Sequence, residues 1–310
     1  MTNSKQTIAL TPSSFGVYDR TPIRLLEEAG YEVRFNPYER KLSPEEVTEV
    51  FAGCIGVVAG TETISREAMK SLPELKVISR CGVGMDGVDQ DAATELGITV
   101  VNTPFGPTQA TAEMAVGLIF NVLRRINAMD RDLRSGVWKK RMGRQLSGKK
   151  VAVLGLGRIG KRVAGMLSAM GCEVGFFDPI VSEMDFPYEF MPFKELLQWA
   201  EIVTLHCSGQ CDCSTVLGRE ELVILSPGTI VINCSRGELL DEKVLVELLQ
   251  SGHLGGAGLD VYRDEPYSGP LLDMENVVLT PHASSYTMEG RAAMELDSVK
   301  NLLVVLEGLQ

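Results

Sequence analysis

Three glycines and three polar residues carry the chemistry legible in this chain of 310 residues. Gly155, Gly157 and Gly160 stand in G-x-G-x-x-G spacing. They lie between an apolar run, Val151 to Leu154, and a helical pattern that continues to Met170, with Gly171 as its stop. Such glycines allow a tight turn and let the backbone approach a pyrophosphate at a helix N-terminus. A second apolar run, Glu173 to Phe177, ends in Asp178. An acid about 20 residues beyond the glycines can accept hydrogen bonds from a ribose diol. Strand, turn, helix, strand and acid together indicate a dinucleotide site. Asp178 would repel a 2′-phosphate, which favours NAD over NADP.

Downstream, Arg236 follows the apolar run of VINCSRGELLDE. In GLDVYRDEP, Asp260 ends a strand and Glu265 lies in the loop after it. In VVLTPHASSYT, His282 follows another strand. In an open parallel sheet, loops after strand C-termini line the ligand crevice, so these three can converge. Their types suit hydride transfer, in which the protein must handle a hydroxyl proton. His282 can move that proton near neutral pH. Glu265 can fix the imidazole tautomer and stabilise its charged form. Arg236 can bind a carboxylate in a forked geometry and polarise a carbonyl.

The elements that must position these residues alternate along the whole chain. Strands are expected at 7–10, 31–35, 55–59, 75–79 and 98–101. After the glycine motif they recur at 151–154, 173–177, 202–206, 229–233, 256–260 and 277–280. Helices lie between them. One covers 22–29 with Thr21 as N-cap; another opens at Ser43-Pro44-Glu45-Glu46. Helices are also expected at 65–71 and 88–96. This alternation implies parallel sheets covered by helices on both faces. We expect two doubly wound α/β domains, a Rossmann domain and a flavodoxin-like substrate domain. The Rossmann domain would span 102–285, and the substrate domain 1–101 plus 286–310, the last helix (287–309) returning to it.

Thr108 to Asn127 reads as one helix, too apolar for a surface and so buried between domains or subunits. A basic stretch follows around Trp138, with Arg131, Arg134, Lys139, Lys140, Arg141, Arg144, Lys149 and Lys150. It is a solvated face, a contact with a second subunit, or a partner for an anionic substrate.

Composition narrows the remaining classes. A hydrophobic share of 45% and a charged share of 23% fit a soluble globular protein. No apolar run reaches the roughly 18 residues of a membrane span, and the N-terminus lacks a signal-peptide layout. A net charge of −11 argues against nucleic acid as a partner. The seven cysteines are odd in number and scattered, which fits a reducing cytoplasm. Cys207, Cys211 and Cys213 cluster beside His206 in C-x3-C-x-C spacing, unlike a paired zinc knuckle. We read them as a loop and expect no metal.

The motifs SRCGVGMDGVD, NTPFGPTQATAE, LSGKKVAVLGLGRIG, INCSRGELLDE, GLDVYRDEP and TPHASSYT resemble those of D-isomer-specific 2-hydroxyacid dehydrogenases. Their phosphoglycerate dehydrogenase branch is the most similar, from about Leu75 to Thr287. The resemblance implies an NAD-dependent oxidoreductase interconverting a small anionic D-2-hydroxy acid and its 2-keto acid. It implies Arg236, Glu265 and His282 as the catalytic set. Backbone amides of Gly82, Val83 and Gly84 would bind the substrate carboxylate. Cofactor contacts would come from Val83, Arg158, Ile159, Asp178, Cys207, Cys234, Asp260 and Ser285, Asp260 facing the nicotinamide amide. A homodimer is implied, the 102–150 segment crossing to the partner. An alternative is a catalytically silent NAD-binding redox sensor or corepressor; the filled catalytic positions speak against it.

The chain departs from the branch in three places. HCSGQCDCS replaces His-x-Pro-Leu, Gly87 stands where Asn is frequent, and VAGTETI lacks an Arg-Ser pair that helps hold phosphate. Ala59 and Gly60 cannot do so, which leaves Arg80 as a candidate phosphate or sulfonate partner.

Overall fold

The computed structural model describes residues 5–181, 187–207 and 215–309. The chain divides into two compact units, Met1–Pro107 with Ser285–Gln310, and Thr108–Ser284.

The first unit holds five strands: β1 (Thr7–Leu10), β2 (Glu32–Phe35), β3 (Cys54–Ala59), β4 (Val77–Arg80) and β5 (Thr99–Asn102). Their order is β2-β1-β3-β4-β5 and every pairing is parallel. This is the flavodoxin-like order, whose strand direction of travel reverses between β1 and β3. Local chemistry starts several of its helices. Ser43 caps helix Pro44–Phe51 in a capping box with Glu46, and Ser65 and Asp89 cap the next two. Thr21 differs from expectation: it lies inside helix Thr21–Glu28, and its N–H is taken by the Asp19 side chain. Helix Met288–Gly308 closes this unit, capped by Thr287. Its Met294, Val299, Leu302 and Leu306 enter one core with Ile8, Leu10, Val58 and Val77.

The second unit holds β6 (Lys150–Leu154), β7 (Glu173–Phe177), β8 (Glu189–Phe190), β9 (Ile202–Leu205), β10 (Ile230–Asn233), β11 (Gly256–Leu259) and β12 (Val277–Leu279). The order β12-β11-β10-β9-β6-β7-β8 is wholly parallel and doubly wound. Four of its strands, β9, β10, β11 and all but one residue of β6, are buried along their length, as sheets covered on both faces require. β8 escaped the sequence reading because two residues carry no periodicity.

The apolar segment after residue 108 differs from the single helix expected. It breaks at Arg125, whose φ of 54° is left-handed, into Thr108–Arg124 and Ile126–Arg134. Asn121 bridges the break, accepting from the Asn127 N–H at 2.9 Å. Its apolarity is also explained within its own unit. Ala112, Ala115, Val116, Ile119 and Leu123 pack into the core of Val151, Val153, Ile230 and Ile232. Exposed apolar surface appears instead farther on, at Leu133, Val137, Trp138 and Met142. Arg141 in this stretch is nearly buried, paired with Asp132 and Glu275.

Candidate active site

In the second unit the strand order reverses beside β6, and the glycine turn sits there. Gly155 has φ of 90°, and a Cβ on it would lie 2.7 Å from the Cys207 nitrogen. At Gly160 a Cβ would lie 2.0 Å from the Gly155 carbonyl oxygen, so helix Arg158–Ala169 can close on the turn only with glycine there. Gly157 has a different surrounding: nothing lies within 4 Å of the Cβ it lacks. It opens the helix, and no side chain caps that end. A bare backbone at an uncapped helix start is what a pyrophosphate requires. The residues present therefore fit the dinucleotide.

Asp178, at the end of β7, points back to this turn. Its Oδ2 accepts the Leu156 N–H at 2.7 Å, and its Oδ1 accepts those of Ile180 and Val181. Arg158 is exposed and Ile159 half-buried at the helix start. Cys207 lies against the turn, its Sγ 3.3 Å from the Leu154 carbonyl and its own carbonyl accepting from Ser235. Cys234 is buried, and burial pushes its thiol far up. His206 keeps Nε2 2.8 Å from Thr204 Oγ1 while Nδ1 is buried with no partner among the described residues; desolvation pushes its pKa down to about 3, so it is neutral. Cys211 and Cys213 lie outside the described residues. Among the described residues no group of His, Cys, Asp and Glu could hold a metal.

Three loops at the far side of the same sheet edge interlock. After β10, the buried Asn233 accepts from the Ser235 N–H and donates to the Arg236 carbonyl, fixing the turn that presents Arg236. A Cβ on Gly237 would lie 2.0 Å from the Tyr262 carbonyl carbon, so the loop after β10 rests directly on the backbone of the loop after β11. Tyr262 donates its hydroxyl toward the carbonyls of Leu259 and Thr280, joining the ends of β11 and β12. Burial pushes that phenol far up, which keeps it a donor.

Within this frame His282 and Glu265 meet. His282 Nδ1 lies 2.8 Å from Glu265 Oε2 and 3.1 Å from Oε1. Glu265 Oε1 also accepts the Tyr262 N–H. Donation from Nδ1 to a carboxylate leaves Nε2 as the basic nitrogen. The ring remains about half exposed, 48% at its side chain, so a substrate can reach it. Arg236 lies on the neighbouring loop, its Nη1 held by the Ser235 carbonyl.

Asp260 braces the turn beside it. It is completely buried. Its Oδ1 accepts from Thr280 Oγ1 at 2.6 Å and the Ala283 N–H at 2.8 Å; its Oδ2 accepts the Ser284 N–H. Its carbonyl accepts the His282 N–H, and His282 has a left-handed φ of 50°. Asp260 thus anchors the turn that carries His282. A strand-terminal Asp followed about 20 residues later by Thr-Pro-His was the only sequence signal, and it does not say where the carboxylate points.

The remaining predicted residues lie in the first unit. There the carbonyls of Gly82, Val83 and Gly84 accept from Thr103 N, Asn102 Nδ2 and Arg80 Nε. Among the described residues no acceptor takes the N–H groups of Val83 and Gly84, which leaves a two-amide anion nest. Arg80 differs from expectation: it is buried, and its guanidinium holds the Gly84 and Ala59 carbonyls. These two bonds brace the loops after β3 and β4. The Ser285 carbonyl accepts the Thr287 N–H.

Comparison with known proteins places the chain among relatives of one family. Residues 116–284 match the family model for the NAD binding domain of D-isomer specific 2-hydroxyacid dehydrogenases. The chain is 36% identical over 258 residues to a D-3-phosphoglycerate dehydrogenase of Mycobacterium leprae, covering 81% of this chain and 49% of that protein. It thus spans about half the length of such curated relatives. A glyoxylate reductase of Thermococcus litoralis is 35% identical over 277 residues, 85% of this chain and 83% of that protein. The crystal structure of the TT0316 protein from Thermus thermophilus superposes with a TM-score of 0.90 at 35% identity, covering 98% of this chain and 97% of that one.

Replacing Asp260 by Asn keeps its volume but turns an N–H₂ toward at least one of three donors. We expect a loss of roughly 1–3 kcal/mol in stability by urea denaturation, with a fall in turnover. An unchanged urea midpoint would contradict the anchoring role.

Proposed function

The chain belongs to the D-isomer-specific 2-hydroxyacid dehydrogenase family, and from that premise we propose that it is an NAD-dependent oxidoreductase interconverting a D-2-hydroxy acid and its 2-keto acid. The observation that carries this reading is the Glu265–His282 pair at the sheet edge that also bears the glycine turn. When bound, NAD accepts the hydride in the oxidative direction. His282 Nε2 takes the hydroxyl proton of the hydroxy acid and returns it in the reverse direction. Glu265 holds the ring through Nδ1 and stabilises the imidazolium that forms. Arg236 pairs with the carboxylate and polarises the carbonyl. The open amides of Val83 and Gly84 are proposed as further carboxylate ligands. Asp178 is proposed to meet the adenosine ribose, which disfavours a 2′-phosphate. The substrate is a small anionic acid; neither nucleic acid nor membrane is a partner. A cytoplasmic location is proposed; no helix among the described residues is long and apolar enough to cross a membrane.

An NADH-absorbance assay across 2-hydroxy and 2-keto acids tests the reading directly. Catalytic efficiency with NAD is expected to exceed that with NADP by on the order of a hundredfold, since an unpaired charge repulsion costs a few kcal/mol. Equal efficiency with both would remove the role of Asp178.

On a substrate found in that assay, His282→Gln should lower turnover by about 10²–10⁴-fold, because it removes the titrating group while keeping size. NAD affinity should change far less. Glu265→Gln should leave turnover measurable and move its pH profile. Arg236→Ala should damage both KM and kcat. Wild-type turnover in His282→Gln would end the assignment of all three.

A homodimer is proposed to cover the exposed Trp138 and Met142, which are 85% and 92% exposed in the single chain. Light scattering at micromolar concentration should return twice the chain mass of 33.8 kDa. A monomer there argues against it.

A further inference from the structure

The first unit carries a buried carboxylate that the proposed catalytic steps do not use. Glu62 is 2% exposed. Its Oε1 accepts from the Thr11 hydroxyl and, at 2.9 Å, from the Gly60 N–H. Both partners are neutral. Among the described residues Oε2 accepts no hydrogen bond and no Lys, Arg or His pairs with the group. A buried carboxylate with half its acceptors idle is costly unless something supplies donors.

Its place in the fold says what could. Thr11 follows β1, and Gly60 and Glu62 follow β3, so the carboxylate sits where the strand order of this sheet reverses. Ligands bind outside the strand C-termini at such a point. The loop after β3 is strapped to the loop that carries the two open amides. Arg80 holds Ala59 and Gly84 together, and the Ile64 N–H donates to the Gly87 carbonyl at 2.7 Å. At residue 60 any side chain would start 2.9 Å from Oε2. Glycine therefore leaves that oxygen uncovered by its own loop.

We propose that Glu62 selects the substrate: Oε2 accepts a hydrogen bond from a hydroxyl on the carbon chain of the 2-hydroxy acid, and its charge disfavours a phosphate there. This rests on the dehydrogenase reading and on the Val83 and Gly84 amides holding the carboxylate. An acceptor-only carboxylate cannot donate to phosphate oxygens, whereas a hydroxyl supplies the donor the site lacks. The same loop lacks the cations that a phosphate would need, since Arg80 is turned to backbone carbonyls.

The test compares reduction of hydroxypyruvate, pyruvate and 3-phosphohydroxypyruvate with NADH by the full chain, by Glu62→Gln and by Glu62→Ala. Wild type should prefer hydroxypyruvate over pyruvate by about tenfold or more in kcat/KM, the weight of one hydrogen bond to a charged group. Glu62→Ala should lose most of that ratio through KM while pyruvate reduction barely changes. Glu62→Gln, which keeps an acceptor oxygen, should restore part of it. Both variants should gain on the phosphorylated acid relative to hydroxypyruvate. An unchanged ratio in Glu62→Ala overturns the proposal; so does an equal fall on all three acids together with a lowered urea midpoint, which marks a purely structural group. If wild type reduces none of the three, the dehydrogenase reading is what has failed. Melting-temperature shifts with D-glycerate against D-lactate, in the presence of NAD, then decide Glu62. A gain specific to D-glycerate and lost in Glu62→Ala supports its role, and equal shifts overturn it.

Discussion

The proposed catalytic edge of the second unit depends on one buried carboxylate. Asp260 ends β11 and collects three donors from the residues after β12. Burying it without them would be prohibitive, so the 280–284 turn and the end of β11 can only exist together. The turn it enforces puts His282 in a left-handed conformation that a non-glycine residue adopts at a cost. That conformation aims the ring at Glu265. The proposed proton-transfer pair is thus held by a buried carboxylate on the neighbouring strand end.

Close backbone contact does the same work for the rest of that edge. Gly160 admits the Gly155 carbonyl and Gly237 admits the Tyr262 backbone, at distances where no Cβ fits. The first contact shapes the cofactor cradle; the second locks the Arg236 loop to the Glu265 loop. Tyr262 extends the lock to β12 through its hydroxyl. Side chains could not replace these contacts, because they would separate the backbones they must join.

The two sheets follow one rule. In each, the parallel order reverses once, and the groups left with unused hydrogen-bonding capacity gather at that edge. In the second unit they are the uncapped amides after Gly157. In the first they are the amides of Val83 and Gly84 and the Oε2 of Glu62. Arg80, a candidate phosphate or sulfonate partner on the sequence reading, is buried and donates to the Gly84 and Ala59 carbonyls, since a buried guanidinium must spend its donors.

Local chemistry is what the sequence determined by itself. The α/β alternation, the glycine turn, the acid after β7 and the Ser43 cap each follow from residues within one or two turns of chain, where propensity and spacing act directly. The five strands of the first unit and six of the second were legible for that reason; β8 was not. The residue types of the proposed catalytic set were readable too, because few side chains can move a proton or clamp a carboxylate. Only tertiary structure decided what those side chains face. Asp260 reads as a ligand group, and the fold also makes it an anchor. Arg80 reads as an anion site, and the fold also makes it a brace. Helix Thr108–Arg124 reads as an interface and is core. Glu62 gave no signal at all. In each case at least one partner lies about 20 residues or more away in the chain. The partner of a buried charge is set by which strand ends the sheet brings side by side, and no local pattern encodes that.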